Sequence, residues 1–120
     1  MNNIIRTEDN GIASTSVQFG DFVFVAGMTA QDLSADIKGQ TEQVLARVDA
    51  ALATCSADKS CILQAQIWLK DIRDRDAMNT VWTAWLPAAS SPARACVQAN
   101  MASPRHLVEI MVIACRKRQV

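Results

Sequence analysis

The sequence predicts an α+β domain: a single mixed β-sheet carrying two helices on one face, in the order ββαβαββ. Three observations predict it. Val44, Leu45, Val48, Ala51, Leu52 and Cys55 recur at the spacing of one helical face, and Met78, Val81, Trp82 and Trp85 do so again. The remaining apolar segments instead alternate with polar residues or run continuously, as strands do. At 120 residues, half of them apolar, the chain has material for one core, so residues 1–120 are expected to form one domain.

The elements follow in order. Ser14–Phe19 and Phe22–Ala26 are β-prone runs joined by Gly20-Asp21, and a Gly-X link accepts the positive φ of a type II′ hairpin turn. Gly27 is expected to stop the second strand, and a small, polar stretch follows from Thr29 to Gly39. The first helix then runs to about Thr54, where the polar Ser56–Ser60 ends it. In Cys61–Leu69, alternation puts Cys61, Leu63, Ala65, Ile67 and Leu69 on one buried face. Asp71–Asp76 is a charged connection, and the second helix stops before Pro87. The loop Pro87–Pro92 leads into a short strand, Arg94–Asn100, and a turn at Ala102–His106. Leu107–Cys115 is almost entirely aliphatic, which reads as a strand covered on both faces. No helix remains to cover its second face, so another copy of the chain is expected there.

Composition removes several function classes. Twelve basic and twelve acidic residues balance to zero net charge, and the one basic run, Arg116-Lys117-Arg118, sits at the tail. Nucleic-acid binding needs a basic face and is not expected. The start, Met1-Asn2-Asn3-Ile4-Ile5-Arg6, lacks a signal-peptide layout, and no apolar run approaches the ~18 residues that span a bilayer. Four cysteines without CxxC spacing and one histidine do not make a zinc site. A cytoplasmic protein with reduced thiols is expected. The dispersed glycines form no phosphate cradle.

Glu109 is the anomaly, the one charge between Leu107 and Ala114. A buried, unpaired carboxylate costs several kcal/mol, so a cation partner or a role with water and protons is expected. Alternation puts Arg94, Cys96 and Gln98 on one face and Leu107, Glu109 and Met111 on another, so adjacency of these two strands would bring Arg94 to Glu109. The Arg94 guanidinium is a planar fork suited to a small carboxylate-bearing ligand. Cys96 as a nucleophile would require His106 as its base, and that residue lies in a turn. Trp68, Trp82 and Trp85 read as packing residues.

These residues form an ordered set over almost the whole chain. It comprises Gly27 after Phe22-Val23-Phe24-Val25-Ala26, Gln40-Thr41 opening the first helix, and Met78-Asn79-Thr80-Val81-Trp82. Pro92-Ala93-Arg94-Ala95-Cys96-Val97 and Leu107-Val108-Glu109-Ile110 complete it. The set resembles the RidA/YjgF family of imine deaminases. That resemblance implies a chorismate-mutase-like α+β fold and a homotrimer with pockets between subunits. It also implies hydrolysis of reactive 2-imino acids, such as iminobutanoate and iminopropanoate, to 2-oxo acids and ammonia, with no metal or organic cofactor. By the same resemblance Arg94 holds the substrate carboxylate and Glu109 positions the attacking water. Main-chain groups at Gly27 and Cys96 line the site, and Asn79 approaches from the adjacent subunit.

Two hydroxyls of the family pattern are missing. The chain contains no tyrosine, and Ala26 stands where a serine precedes the glycine. Gly27-Met28 also replaces a frequent Gly-Gln. A divergent subgroup that keeps the arginine is expected, and a non-catalytic trimeric binder of small 2-oxo acids is the alternative.

Overall fold

The computed structural model describes residues 3–117; Met1, Asn2 and Arg118 of the segments read above lie outside them. Its first strand, β1 (Ile4–Thr7), has no counterpart in the sequence expectation. It is an edge strand whose Ile4 and Ile5 stay about half exposed, so it carries no buried periodicity to read. Pairing with β2 (Ser16–Phe19) holds it in place.

The expected hairpin joins β2 to β3 (Phe22–Met28), with Phe19 opposite Phe22. Gly20 has φ +59°, while Asp21 is not among the residues of positive φ, as a type II′ turn requires. Gly27 does not stop the strand. Instead β3 runs through it to Met28, with a register shift against its neighbour between Val25 and Met28.

Helix α1 (Ile37–Thr54) begins where Asp36 Oδ1 accepts the Gly39 N–H at 2.9 Å, an N-cap that satisfies one orphan donor. It buries Val44, Leu45, Val48, Ala51 and Leu52, the stripe that the periodicity marks. Strand β4 (Ile62–Leu69) departs from simple alternation at its start: Ile62 is buried and Leu63 is 45% exposed. A register shift between Ile62 and Gln64 reverses the side-chain sense there, and alternation resumes at Ala65. Helix α2 (Arg75–Trp85) packs Met78 and Trp82 inward and leads by way of the 87–92 loop into β5 (Ala93–Gln98). Strand β6 (Val108–Cys115) ends the sheet-forming chain.

The sheet order is β1-β2-β3-β6-β4-β5, in which β4 and β5 are the parallel pair. The last strand therefore lies in the middle of the sheet and separates β3 from β4. Both helices pack on one face, where Val23, Val25, Ile67, Leu69, Val108, Ile110 and Val112 meet Leu45, Val48, Leu52 and Met78. The opposite face is open in the isolated chain. Phe24 (43% exposed) and Met111 (39%) lie on it, and Ile113 faces Phe24 across the β3–β6 pair. Trp68 also lies there, opposite Glu109, rather than in the core with Trp82. No helix among the described residues is long and apolar enough to cross a membrane.

Candidate functional site

Strand order decides what Arg94 and Glu109 can do. Arg94 lies on β5 opposite the buried Ala65 of β4, which puts it on the helix-covered side. Glu109 lies on β6 between the fully buried Val108 and Ile110, opposite Trp68, which puts it on the open side. With β4 between their strands, the two residues occupy opposite faces of one sheet. The expected apposition of Arg94 and Glu109 within a chain is therefore wrong: β5 pairs with β4, not with β6. The ion pairs among the described residues are Arg73–Asp71 and Lys117–Asp58, and neither uses Arg94 or Glu109.

Arg94 is held instead by α2. Its Nη1 donates to Asn79 Oδ1 at 2.7 Å, and its guanidinium carbon stands 5.4 Å from the centroid of the Trp82 ring. Asn79 thus hydrogen-bonds the Arg94 of its own chain. Asn79, Trp82 and Thr83 lie three and four residues apart, on one side of α2. With Ser91, Pro92 and Arg94 they line an open cavity of about 310 Å³. The helical spacing was the signal that could have added Trp82 and Thr83 to the site; read only as core periodicity, it did not. A second groove of about 580 Å³ runs between the helices past Leu45, Asp49, Val81 and Trp85, and contains none of the site residues.

On the other face, the Glu109 carboxylate lies directly over Gly27. A Cβ built on Gly27 would fall on Glu109 Oε2 and come within 3.1 Å of its Cδ. Any side chain at position 27 therefore competes with the carboxylate for the same space. The register shift in β3 occurs at this point, so Gly27 serves as a close-approach position in a continuing strand.

Cys96 sits two residues beyond Arg94 on the same face, opposite Ile67, and packs partly against the core. Burial pushes its thiol up, although Arg94 and Arg75 pull the other way. A protonated thiol is a poor nucleophile. The proposed base, His106, has its Nδ1 3.0 Å from Ser103 Oγ. Cys96 is suited to packing, not to nucleophilic attack.

The loops that follow β3 and β5 are tied together by Gln40, which is fully buried. Its Nε2 faces the carbonyls of Leu33 (3.3 Å), Ala35 (3.2 Å) and Arg105 (3.1 Å), and its Oε1 accepts the Leu107 N–H at 3.0 Å. One side chain from α1 thus anchors the Thr29–Gly39 loop and the approach to β6. No trio of His, Cys, Asp or Glu among the described residues is arranged to hold a metal.

The family described as endoribonuclease L-PSP matches residues 10–116. The RutC family protein YoaB of Escherichia coli K12 is 37% identical over 111 residues, which cover 92% of this chain and 96% of YoaB. A solved YjgF-family protein from Neisseria meningitidis superposes with a TM-score of 0.94 at 37% identity, covering 98% of each chain. The chloroplastic Reactive Intermediate Deaminase A of Arabidopsis thaliana is 30% identical over 110 residues, 87% of this chain and 58% of that protein.

Proposed function

The chain belongs to the endoribonuclease L-PSP family, that is RidA/YjgF, and on that premise we propose that it hydrolyses reactive 2-imino acids to 2-oxo acids and ammonia. Its fold is the family's chorismate-mutase-like α+β fold. The observation that carries the proposal is the state of Arg94. Its guanidinium is fixed by Asn79 and Trp82 at the rim of a cavity, and one of its five N–H donors goes to Asn79. The rest can grip a carboxylate, which a 2-imino acid has beside its reactive carbon.

The working site is composite. Arg94 with Asn79 comes from one copy, and Glu109 over Gly27 comes from the next, because one sheet carries them on opposite faces. The homotrimer implied by the family resemblance supplies such a junction, with the open apolar face as the contact surface. There the substrate carboxylate binds Arg94 and leaves the imine carbon exposed to a water held by Glu109. The Glu109 carboxylate takes a proton from the water as its oxygen adds to the carbon of the protonated imine, and then returns that proton to the nitrogen of the carbinolamine. The C–N bond breaks to release ammonia as the hydroxyl oxygen forms the C=O of the 2-oxo acid and gives its proton to solvent. An imine is already electrophilic, so positioning and modest proton transfer are enough. The chain's own residues supply both.

The test generates 2-imino acids in place with an amino-acid oxidase or a threonine dehydratase and follows ammonia and 2-oxo-acid release. Acceleration over buffer is expected, and Arg94→Ala should abolish it. Buffer rates across short, branched and aromatic imines would sink the proposal. The missing tyrosine and Ala26 favour one other reading, a binder of 2-oxo acids without turnover. Calorimetric binding of 2-oxobutanoate with no imine hydrolysis is its signature.

A further inference from the structure

We propose that Trp82 is the positioning residue for Arg94, and that its indole ring, rather than any acidic partner, orients the guanidinium for its ligand. This deepens the functional reading above and rests on it for the identity of the ligand. Arg94 lacks an acidic partner among the described residues. It is an exposed residue on the edge strand β5, outside both ion pairs found among the described residues. A free arginine there would sample many rotamers, and binding a carboxylate would first have to freeze them.

Two contacts from α2 remove that freedom. Trp82 is itself 4% exposed and stacks against Trp85, with ring centroids 5.6 Å apart and planes inclined at 44°. Trp85 is in turn tied by its Nε1 to Asp49 Oδ2 at 2.9 Å, across to α1. The Trp82 ring is therefore a fixed surface, and the guanidinium carbon lies over it at 5.4 Å. A cation–π contact takes up no N–H donor in a hydrogen bond, so it leaves the guanidinium's donors unspent. Asn79 then takes one N–H donor at 2.7 Å and restrains the rotation of the guanidinium. An acidic partner would hold the arginine equally well but would compete with the substrate carboxylate for the same donors. A neutral ring and an amide oxygen restrain the cation without neutralising it.

The experiment compares wild type with Trp82→Phe, Trp82→Leu and Asn79→Ala by two measurements. The first needs no ligand: ¹⁵N relaxation of the Arg94 Nε–H group in the free protein. Order close to that of the backbone is expected in wild type, partial loss in Trp82→Phe and Asn79→Ala, and near-free motion in Trp82→Leu. The second is titration with 2-oxobutanoate. Because each freed rotamer and each exposed-site cation–π contact contributes modestly, affinity should fall by about 3-fold in Trp82→Phe and about 10-fold or more in Trp82→Leu. Denaturation curves check folding, and Trp82→Phe and Asn79→Ala keep the test informative if Trp82→Leu is unstable. An Arg94 side chain equally ordered in all four proteins, or equal affinities for Phe and Leu at position 82, overturns the proposal. Loss of order on substitution, with no 2-oxobutanoate binding by wild type, leaves the positioning role standing and refutes the ligand reading instead.

Discussion

Replacing Gly27 with alanine separates the site from the fold. A Cβ at this position falls on Glu109 Oε2 and lies 3.1 Å from its Cδ and 3.4 Å from its Cγ. The obstacle is the end of a flexible side chain, and Gly27 is not among the glycines of positive φ, so the backbone tolerates alanine. The clash is relieved if the carboxylate swings towards the open face. Its cost, set against the about 0.4–1 kcal/mol gained when alanine restricts the unfolded chain, leaves a net change within about 1 kcal/mol. Activity should respond far more. A reacting group displaced by ~1 Å costs about 10²-fold, and loss of a positioned base costs about 10²–10⁴-fold. Urea denaturation and imine hydrolysis on the same samples measure both. In a Glu109→Ala background, Gly27→Ala should cost no further activity, because its effect passes wholly through the carboxylate. Near-wild-type hydrolysis by Gly27→Ala, or an undiminished second loss in the Glu109→Ala background, would refute the reasoning.

Three further outcomes are expected. Gln40→Ala strips a buried N–H and up to three carbonyls of their partners, and should cost about 3 kcal/mol by urea denaturation; less than 1 kcal/mol would contradict the role given to Gln40. The Arg73 side chain, then its backbone N–H, holds the Asp71 carboxyl down at about 2, below its ordinary value of about 3.9. A carboxyl lowered on folding stabilises above its unfolded value and loses that contribution as pH falls through the folded one. The stability gap between wild type and Asp71→Asn should thus be flat above about pH 5 and close between about pH 4 and pH 2. Phe24→Asp puts a charge on the open face, and light scattering should show a smaller assembly than wild type, with unchanged circular dichroism.

Much of the fold was legible because it rests on local periodicity. The stripe from Val44 to Leu52 and the inward Met78 and Trp82 are buried as their spacing implies. The Gly20-Asp21 hairpin follows from the one positive φ that its turn needs. Local pattern failed where pairing outweighed it. The edge strand Ile4–Thr7 is held by its neighbour, and register shifts reverse Ile62 and Leu63 and carry β3 through Gly27. None of these leaves a period in the sequence.

The residue types of the site were determined by sequence alone: a guanidinium in a Pro-Ala-Arg-Ala-Cys strand and one carboxylate in an otherwise aliphatic one. Their geometry was not. Side-chain alternation says which residues of a strand share a face, but it cannot say which strands are neighbours or which way each face points. That depends on the long-range insertion of β6 between β3 and β4, which leaves β5 at the edge and sets Arg94 and Glu109 back to back. Tertiary structure alone therefore decided that Arg94 answers to Asn79 and Trp82 within its own chain. Closer approach of Arg94 and Glu109 requires a second copy, because a sheet cannot bring its two faces together.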